Sequence, residues 1–322
     1  MTWVVWRQQR PVFVTFAAGL LIGAVVVLLL RSATLADLTA RNLLDCVDKG
    51  LEACRGNAAT EFQTTWYDRM HLAQGAVVAL PALIGVFVGA PLFAREFEQG
   101  THALAFTQSV SRTRWVATKF LVAALPALAF VVAFQVLVHS WLDVAGQLGP
   151  FSTGPYYFTN FESDGVSPLA YAVFAYALGM FAGAASRRTL VAMTLTLGVF
   201  VVVRFVLTGL REFMIAPTRI VSDDPTNPVV AERGPLYVDG GYLDASGAVV
   251  VDASSKLNCA SPDPDERVDL LACYRRNGIE KGYADVIPVD QVTTLHLLEA
   301  SVFAGLAAVF VLGAVWAVRR QT

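Results

Sequence analysis

Long runs of apolar residues alternate with polar links along most of this chain. The six longest runs are residues 12–30, 74–94, 120–142, 168–185, 189–210 and 295–318. A hydrocarbon layer about 30 Å thick is crossed by about 20 helical residues, each rising about 1.5 Å. The pattern therefore predicts six transmembrane helices. The fourth is the shortest and begins at Pro168, a residue suited to the first turn of a helix.

Composition supports the same interpretation. Of the 322 residues, 55% are apolar and 16% are charged, and the mean hydropathy is +0.54. The apolar residues come in long blocks, which is the pattern of membrane helices and not of a soluble core. We therefore expect an all-α integral membrane protein with a single domain over residues 1–322.

Basic residues indicate the orientation in the membrane. If the N-terminus is cytoplasmic, the inner pieces 1–11, 95–119, 186–188 and 319–322 hold ten Lys and Arg residues and two acids. The outer pieces then hold thirteen basic residues and twenty-three acids. Because cytoplasmic segments carry an excess of Lys and Arg, both termini are expected inside.

The N-terminal segment has its own pattern. Residues 1–11 place Trp3 and Trp6 beside Arg7 and Arg10. Aromatic and basic residues together predict an interfacial helix lying on the inner leaflet, with a frayed terminus as the alternative.

The three outer links differ in character. Link 31–73 has leucines at helical spacing, which predicts a helical hairpin. Link 143–167 mixes Gly, Pro and aromatic residues, which indicates aromatic anchors at the interface or, alternatively, a surface that gathers substrate. Link 211–294 is the largest soluble part and contains a predicted hairpin with the turn Asp-Ala-Ser-Gly.

The four cysteines fall in outer links. Cys46 and Cys54 lie in the first, and Cys259 and Cys273 lie in the last. An even number of cysteines in an oxidising compartment predicts disulfides within each link. Four free thiols or a zinc site are the alternatives, although zinc favours closer Cys-x-x-Cys spacing.

Familiar catalytic motifs are missing from the sequence. The chain contains no Gly-Lys dipeptide, so it has no Walker A motif, and it lacks G-x-S-x-G and H-E-x-x-H. His296 and Glu299 lie one helical turn apart, but the four histidines are scattered. We expect no metal site, no cofactor in this chain and no enzymatic activity of the chain by itself.

The inner link 95–119 is unusual among these segments. Glu96 and Glu98 open it, Gly100 follows, and Ser111 can cap the next helix, whose first turns are basic. A topogenic anchor accounts for the bases. It does not account for the two acids or for the apolar residues spaced between them.

Three stretches resemble one protein family. "REFEQGTHALAFTQSVSRTRWVATKF" (95–120) is similar to the cytoplasmic loop of ABC exporter permeases of the type-2 membrane-domain superfamily, particularly the actinobacterial branch. "FESDGVSPLAYAVFAYALGMFAGAASRRTLVAMTLTL" (161–197) resembles the fourth and fifth helices of that family, and "LEASVFAGLAAVFVLGAVWAVRR" (298–320) resembles its last helix.

The resemblance implies a permease subunit of the bacterial cell membrane that works as a dimer with two copies of a separate ATPase. ATP and Mg belong to that ATPase, and no nucleic acid is involved. The permease pair, a homodimer or a heterodimer surrounded by lipid, forms an export path for a small molecule, drug, peptide or lipid, as in multidrug efflux. By the same resemblance, 95–111 holds the coupling helix, with candidate contact residues Glu96, Glu98, Gly100, Thr101, His102, Leu104 and Arg112.

Two other functions fit parts of the sequence. A secondary transporter uses carboxylates within the membrane and usually has repeated halves, and no repeat is visible here. A membrane-anchored extracellular binding or scaffold protein would be built on residues 211–294.

Two charges fall inside the predicted helices. Arg204 and Glu299 lie at similar depths near the outer ends of the fifth and sixth helices. Because an unpaired charge in a membrane is costly, they are expected to pair as part of an outer gate, with a static bridge or separate snorkelling to the interface as the alternatives.

Overall fold

The computed structural model describes residues 2–49, 54, 56–100, 112–226, 234–252, 257, 259 and 269–320. The side chains of 2–9 and 112–116 lie outside this description.

The chain forms two compact units. One comprises Met1–Ser152, Tyr157–Gly209 and His296–Thr322, and the other comprises Thr153–Tyr156 and Leu210–Leu295. The single permease domain expected over 1–322 stays a prediction, and the large link forms the sheet of the second unit.

The first unit is helical. Its helices are α1 (Thr2–Ala40), α2 (Asn57–Ile84), α3 (Pro91–Glu98), α4 (Arg112–Ala145), α5 (Phe158–Ser163), α6 (Ser167–Ser186), α7 (Thr189–Gly209) and α9 (Val292–Arg319, from His296 onward). A π-helical turn, Gly85–Gly89, joins α2 to α3.

Six helices in the described part of the chain are long and apolar enough to cross a membrane. Their spans are Arg10–Ala40, Asn57–Glu98, Ala117–Leu148, Ser167–Ser186, Thr189–Gly209 and Val289–Arg319. The prediction of six membrane helices is confirmed. The second span has 42 residues, which at about 1.5 Å each exceeds the thickness of a bilayer.

The N-terminal segment continues directly into the first span. α1 is helical from Thr2 and includes Pro11 without a break. Residues 2–11 are therefore helical, as expected, but belong to the same helix as the first membrane span. Their position at the membrane surface stays a prediction.

α6 is the central helix of the first unit. In its most apolar stretch 67% of the residues are buried inside the protein, against 6% for α1. Gly85 and Gly89 of the π turn face the backbone of α6, and Gly179 and Gly183 of α6 face the backbone of the π turn and Ala90. These two G-x-x-x-G stretches pack against each other, which explains how α6 lies so deep.

The second unit contains a three-stranded antiparallel sheet among its described residues. Its strands β1 (Thr218–Ser222) and β2 (Leu236–Leu243) flank the central β3 (Lys281–Ile287), and α8 (Leu270–Arg276) precedes β3. The predicted turn after β2 is present, with Asp244 accepting hydrogen bonds from the backbone of Ser246 and Ala248. The mostly helical chain with six candidate membrane helices agrees with the all-α membrane protein expected from the sequence, and the sheet among the described residues lies in the large link, where a hairpin was predicted.

Candidate functional site

The inner link begins in the last turn of α3, which ends at Glu98. Gly100 has a φ of +67°, in the left-handed region that favours glycine, and α4 begins at Arg112. Thr101, His102 and Leu104, all predicted coupling residues, lie outside the described residues.

Glu98 binds the start of α7. Its carboxylate accepts hydrogen bonds from the backbone N–H of Thr189 (2.9 Å) and from the Thr189 hydroxyl (2.6 Å). The first N–H groups of a helix lack partners within the helix, and the helix dipole favours a negative charge there. Glu98 therefore holds the end of α3 to the beginning of α7.

Glu96 forms an ion pair with Lys119 of α4. The Lys119 side chain is 5% exposed and that of Glu96 is 17% exposed, so the pair is largely removed from solvent. Breaking such a pair by removing one partner typically costs about 3–5 kcal/mol, because the other charge stays buried. The two acids at the beginning of the link thus connect α3 to α4 and to α7.

A second cluster of charges lies at the opposite ends of the helices. The guanidinium carbon of Arg204 lies 3.4 Å from the centre of the Tyr171 ring, and the Tyr171 hydroxyl donates to Glu299 Oε1 at 3.0 Å. Arg204 and Glu299 therefore meet the same tyrosine. Glu299 is 1% exposed and Tyr171 is equally buried.

Arg204 also forms an ion pair with Glu162. Glu162 belongs to α5 and is fully buried. Stacking on an aromatic ring and pairing with a carboxylate offset part of the cost of placing a guanidinium at a depth where an isolated charge is costly.

His296 lies beside this cluster. Its ring stacks on Phe161, with 3.9 Å between centroids, and its Nδ1 lies 2.7 Å from the Ser167 hydroxyl. Across the described ranges no three His, Cys, Asp or Glu residues are arranged to hold a metal ion. His296 and Glu299 lie one helical turn apart but contact different residues. His296 contacts Phe161 and Ser167, whereas Glu299 accepts a hydrogen bond from Tyr171.

Residues 17–211 match the family described as ABC-2 membrane transporter related. This range is more than half of the chain. The chain belongs to that family. Membership places it in the ABC-2 type permease superfamily and supports a multi-pass membrane protein. No curated protein and no solved structure matches the chain.

The matched range of this ABC-2 family chain covers much of the two groups of charged residues described above, one at the inner link and one around Arg204. It includes the whole inner link, Glu162 and Arg204, and it ends before Glu299. The sheet unit lies almost entirely outside it.

The structure brings together some predicted site residues and adds others. Arg204 and Glu299 converge on Tyr171, whereas Glu162 was missed as a partner. The sequence feature that could have identified Glu162 is its position in link 143–167, which contains acidic residues but no Lys or Arg. Lys119 and Thr189 were missed as partners of the two link acids, since nothing local to the sequence pairs them.

Both disulfides have the predicted connectivity. Cys46 bonds to Cys54 and Cys259 bonds to Cys273, with 5.8 Å between the Cα atoms in each case. All four cysteines of the ABC-2 family chain are thereby paired.

Proposed function

We propose that this chain is the membrane-spanning permease subunit of an ATP-binding-cassette exporter in a bacterial cell membrane. Two permease copies form the export path, and two copies of a separate ATPase, which bind ATP and Mg, drive it. Both termini and the link 95–119 face the cytoplasm. The substrate is a small molecule, drug, peptide or lipid.

One observation carries this proposal. Glu96 and Glu98, the two acids at the beginning of the link, are bound to Lys119 of α4 and to Thr189 of α7. A partner that pushes the link therefore moves three membrane helices together. Coupling between distant sites requires such a rigid connection between a docking point and the elements that move.

The first experiment tests the docking of an ATPase. The chain is purified with a tag from membranes of its own host, and Mg-dependent ATP hydrolysis is measured in the eluate. Gly100→Pro is expected to abolish this activity, because Pro fixes φ near −65° and Gly100 requires +67°. The matched control is Gly247→Pro, at a turn glycine with a φ of +84° in the sheet unit.

Equal ATP hydrolysis in the wild type and in Gly100→Pro argues against docking at this link. Loss in both variants shows a general folding defect and likewise fails to support docking.

The second experiment separates docking from coupling. Glu98→Ala removes the acceptor of the Thr189 hydrogen bonds but leaves Gly100 and the rest of the link sequence unchanged. The ATPase should still co-purify, while the stimulation of hydrolysis by a transported compound falls by about tenfold, a typical allosteric coupling. Asp48→Asn, at an exposed acid in the first outer link, should behave as wild type. Full stimulation in Glu98→Ala contradicts the proposed route.

A secondary transporter is the second candidate. The fully buried Glu162 and the buried Glu299 favour it, since intramembrane carboxylates carry coupling ions in such proteins. Substrate uptake into sealed vesicles distinguishes the two. Transport driven by a proton or sodium gradient without ATP supports the secondary transporter, and transport that requires ATP supports the exporter.

A further inference from the structure

The short helix α5 is inserted among the membrane helices. It belongs to the link between α4 and α6, where a solvated loop is the usual structure. Yet four consecutive residues, Asn160, Phe161, Glu162 and Ser163, are each at most 9% exposed. Because the last four of its six residues are buried, other elements must pack around α5.

The contacts of α5 with α2 are polar. The side-chain amide of Gln74 donates to Asn160 Oδ1 at 2.8 Å and to the Ser163 hydroxyl at 3.4 Å. The Asn160 amide in turn donates to the carbonyl of Pro150 at 2.9 Å. α2 is thus joined to α5 by side chains that are themselves buried.

The contacts with α7 and α9 use the next two residues. Glu162 pairs with Arg204 of α7, and Phe161 stacks on His296 of α9. Asp164, just after α5, lies 3.5 Å from His139 of α4. Residues of this short helix therefore contact three membrane helices, and the residue after it contacts a fourth.

We propose that α5 is a latch that closes the end of the helical bundle opposite the link 95–119, and that Glu162 is the positioning residue that holds it closed. The inference rests on the proposed export function, because a latch acts on a path. While α5 is in place, α2, α7 and α9 are tied to a common element and cannot separate at this end. An export path that opens at this end requires α5 to leave or to rotate.

The chemistry of the contacts fits a latch better than a permanent wedge. Most are hydrogen bonds or ion pairs, which can be exchanged for water when the end opens, whereas an apolar wedge has no such replacement. Among the described residues, Gln74 Oε1 is buried without a hydrogen-bond partner. An unsatisfied buried acceptor destabilises the closed state and so lowers the free energy needed to open this end.

Cysteine labelling tests the latch. All four native cysteines are bridged, so an introduced thiol is the one target of a membrane-impermeant maleimide. Ser163→Cys reports on the buried side of α5, and Phe158→Cys, at a residue that is 52% exposed, is the matched control on the same helix. In the resting protein Ser163→Cys should react slowly and Phe158→Cys rapidly.

Glu162→Gln is then added to each cysteine variant. The labelling rate of Ser163→Cys should rise by about tenfold, because loss of the ion pair shifts the population toward the open end. The rate of Phe158→Cys should change by less than about twofold, since its exposure does not depend on the latch. An unchanged rate at Ser163→Cys overturns the proposal.

Two further arms keep the result interpretable. If Glu162→Gln does not purify as a monodisperse protein, Asn160→Ala releases the neutral contact with α2 instead and carries the same expectation. Addition of MgATP to the ATP-hydrolysing complex should also raise the rate at Ser163→Cys, and no rise overturns the gating role. Labelling of the permease alone requires no ATPase. The labelling result can therefore contradict the latch without contradicting the exporter function, and the ATPase experiments can contradict the exporter function without contradicting the latch.

Discussion

Glycine at a few positions sets how closely the central helices approach. A Cβ atom built on Gly85 would lie 2.7 Å from the carbonyl oxygen of Ala175, and one on Gly89 would lie 2.6 Å from that of Tyr176. Real side chains do not tolerate such distances to a backbone atom. The contact therefore depends on the absence of side chains, as is common where membrane helices cross closely.

Gly179→Ala tests this contact from the other helix. A Cβ at Gly179 meets the backbone of the π turn, so the helices must move apart, and overpacking of this kind lowers the free energy of unfolding by about 1–3 kcal/mol. Thermal unfolding in detergent should show a lower midpoint. Gly198→Ala is the control, because nothing lies within 4 Å of its Cβ position, and it should be neutral or slightly stabilising. Equal midpoints for the two variants contradict the close contact.

Asp285 gives the sheet unit a dependence on pH. Arg219 donates two hydrogen bonds to its carboxylate, at 2.8 and 2.7 Å, and this lowers the pKa of Asp285. A lowered pKa in the folded state means that the stabilisation is present above the ordinary Asp pKa of about 4 and is lost as the pH falls through the folded value.

Hydrogen exchange of the β1 amides, corrected for its intrinsic pH dependence, should therefore show protection at pH 7 that decreases below about pH 4. Asp285→Asn should show weaker protection at pH 7 and a smaller change with pH. A variant that follows the wild-type curve would exclude Asp285 as the titrating group.

At the scale of elements, the ion pair of Glu96 and Lys119 joins α3 to α4. Lys119→Met leaves a buried carboxylate without its partner and should lower stability by about 3–5 kcal/mol, whereas Lys119→Met combined with Glu96→Leu should recover most of the loss. The measurement is thermal unfolding of the four proteins of this double-mutant cycle. Additive effects of the two substitutions would show that the pair does not interact.

The exposed ion pair of Lys281 and Asp223 in the sheet unit provides a control for charge removal. Its side chains are 47% and 89% exposed, so solvent screens the interaction. Lys281→Met should leave the unfolding midpoint of the membrane unit unchanged.

The elements that the sequence predicted are those with a local signature. Six apolar runs of sufficient length gave six membrane helices, and cysteines close together in one link gave the two disulfides. The pairing of β1 with β3 joins strands separated by most of the large link, so only the turn after β2 was visible in advance. Arg204 and Glu162 likewise come from separate elements, and only the packing of α5 brings them together.

At the scale of the whole molecule, orientation in the membrane stays a prediction from the basic residues. Gly100→Cys and Gly247→Cys place single thiols in the inner link and in the sheet unit, in a background where every native cysteine is bridged. In intact cells an impermeant maleimide should label Gly247→Cys and spare Gly100→Cys, and permeabilised cells should label both. The opposite pattern in intact cells reverses the assigned orientation.

The π turn between α2 and α3 has a consequence for the direction in which the inner link faces. The N–H of Ala90 bonds to the carbonyl of Gly85, five residues earlier, so this turn holds one residue more than an α-helical turn. Each residue of an α-helix advances the azimuth by about 100°. Deleting one residue here would restore an uninterrupted α-helix with α3 near its present azimuth, because the π turn takes up the extra residue within about one turn. Winding the present sequence as an α-helix throughout would instead rotate α3 by that angle and carry both link acids off the helices they now bind. By taking up one residue, the π turn thus determines which neighbouring helices the inner end of this 42-residue span contacts.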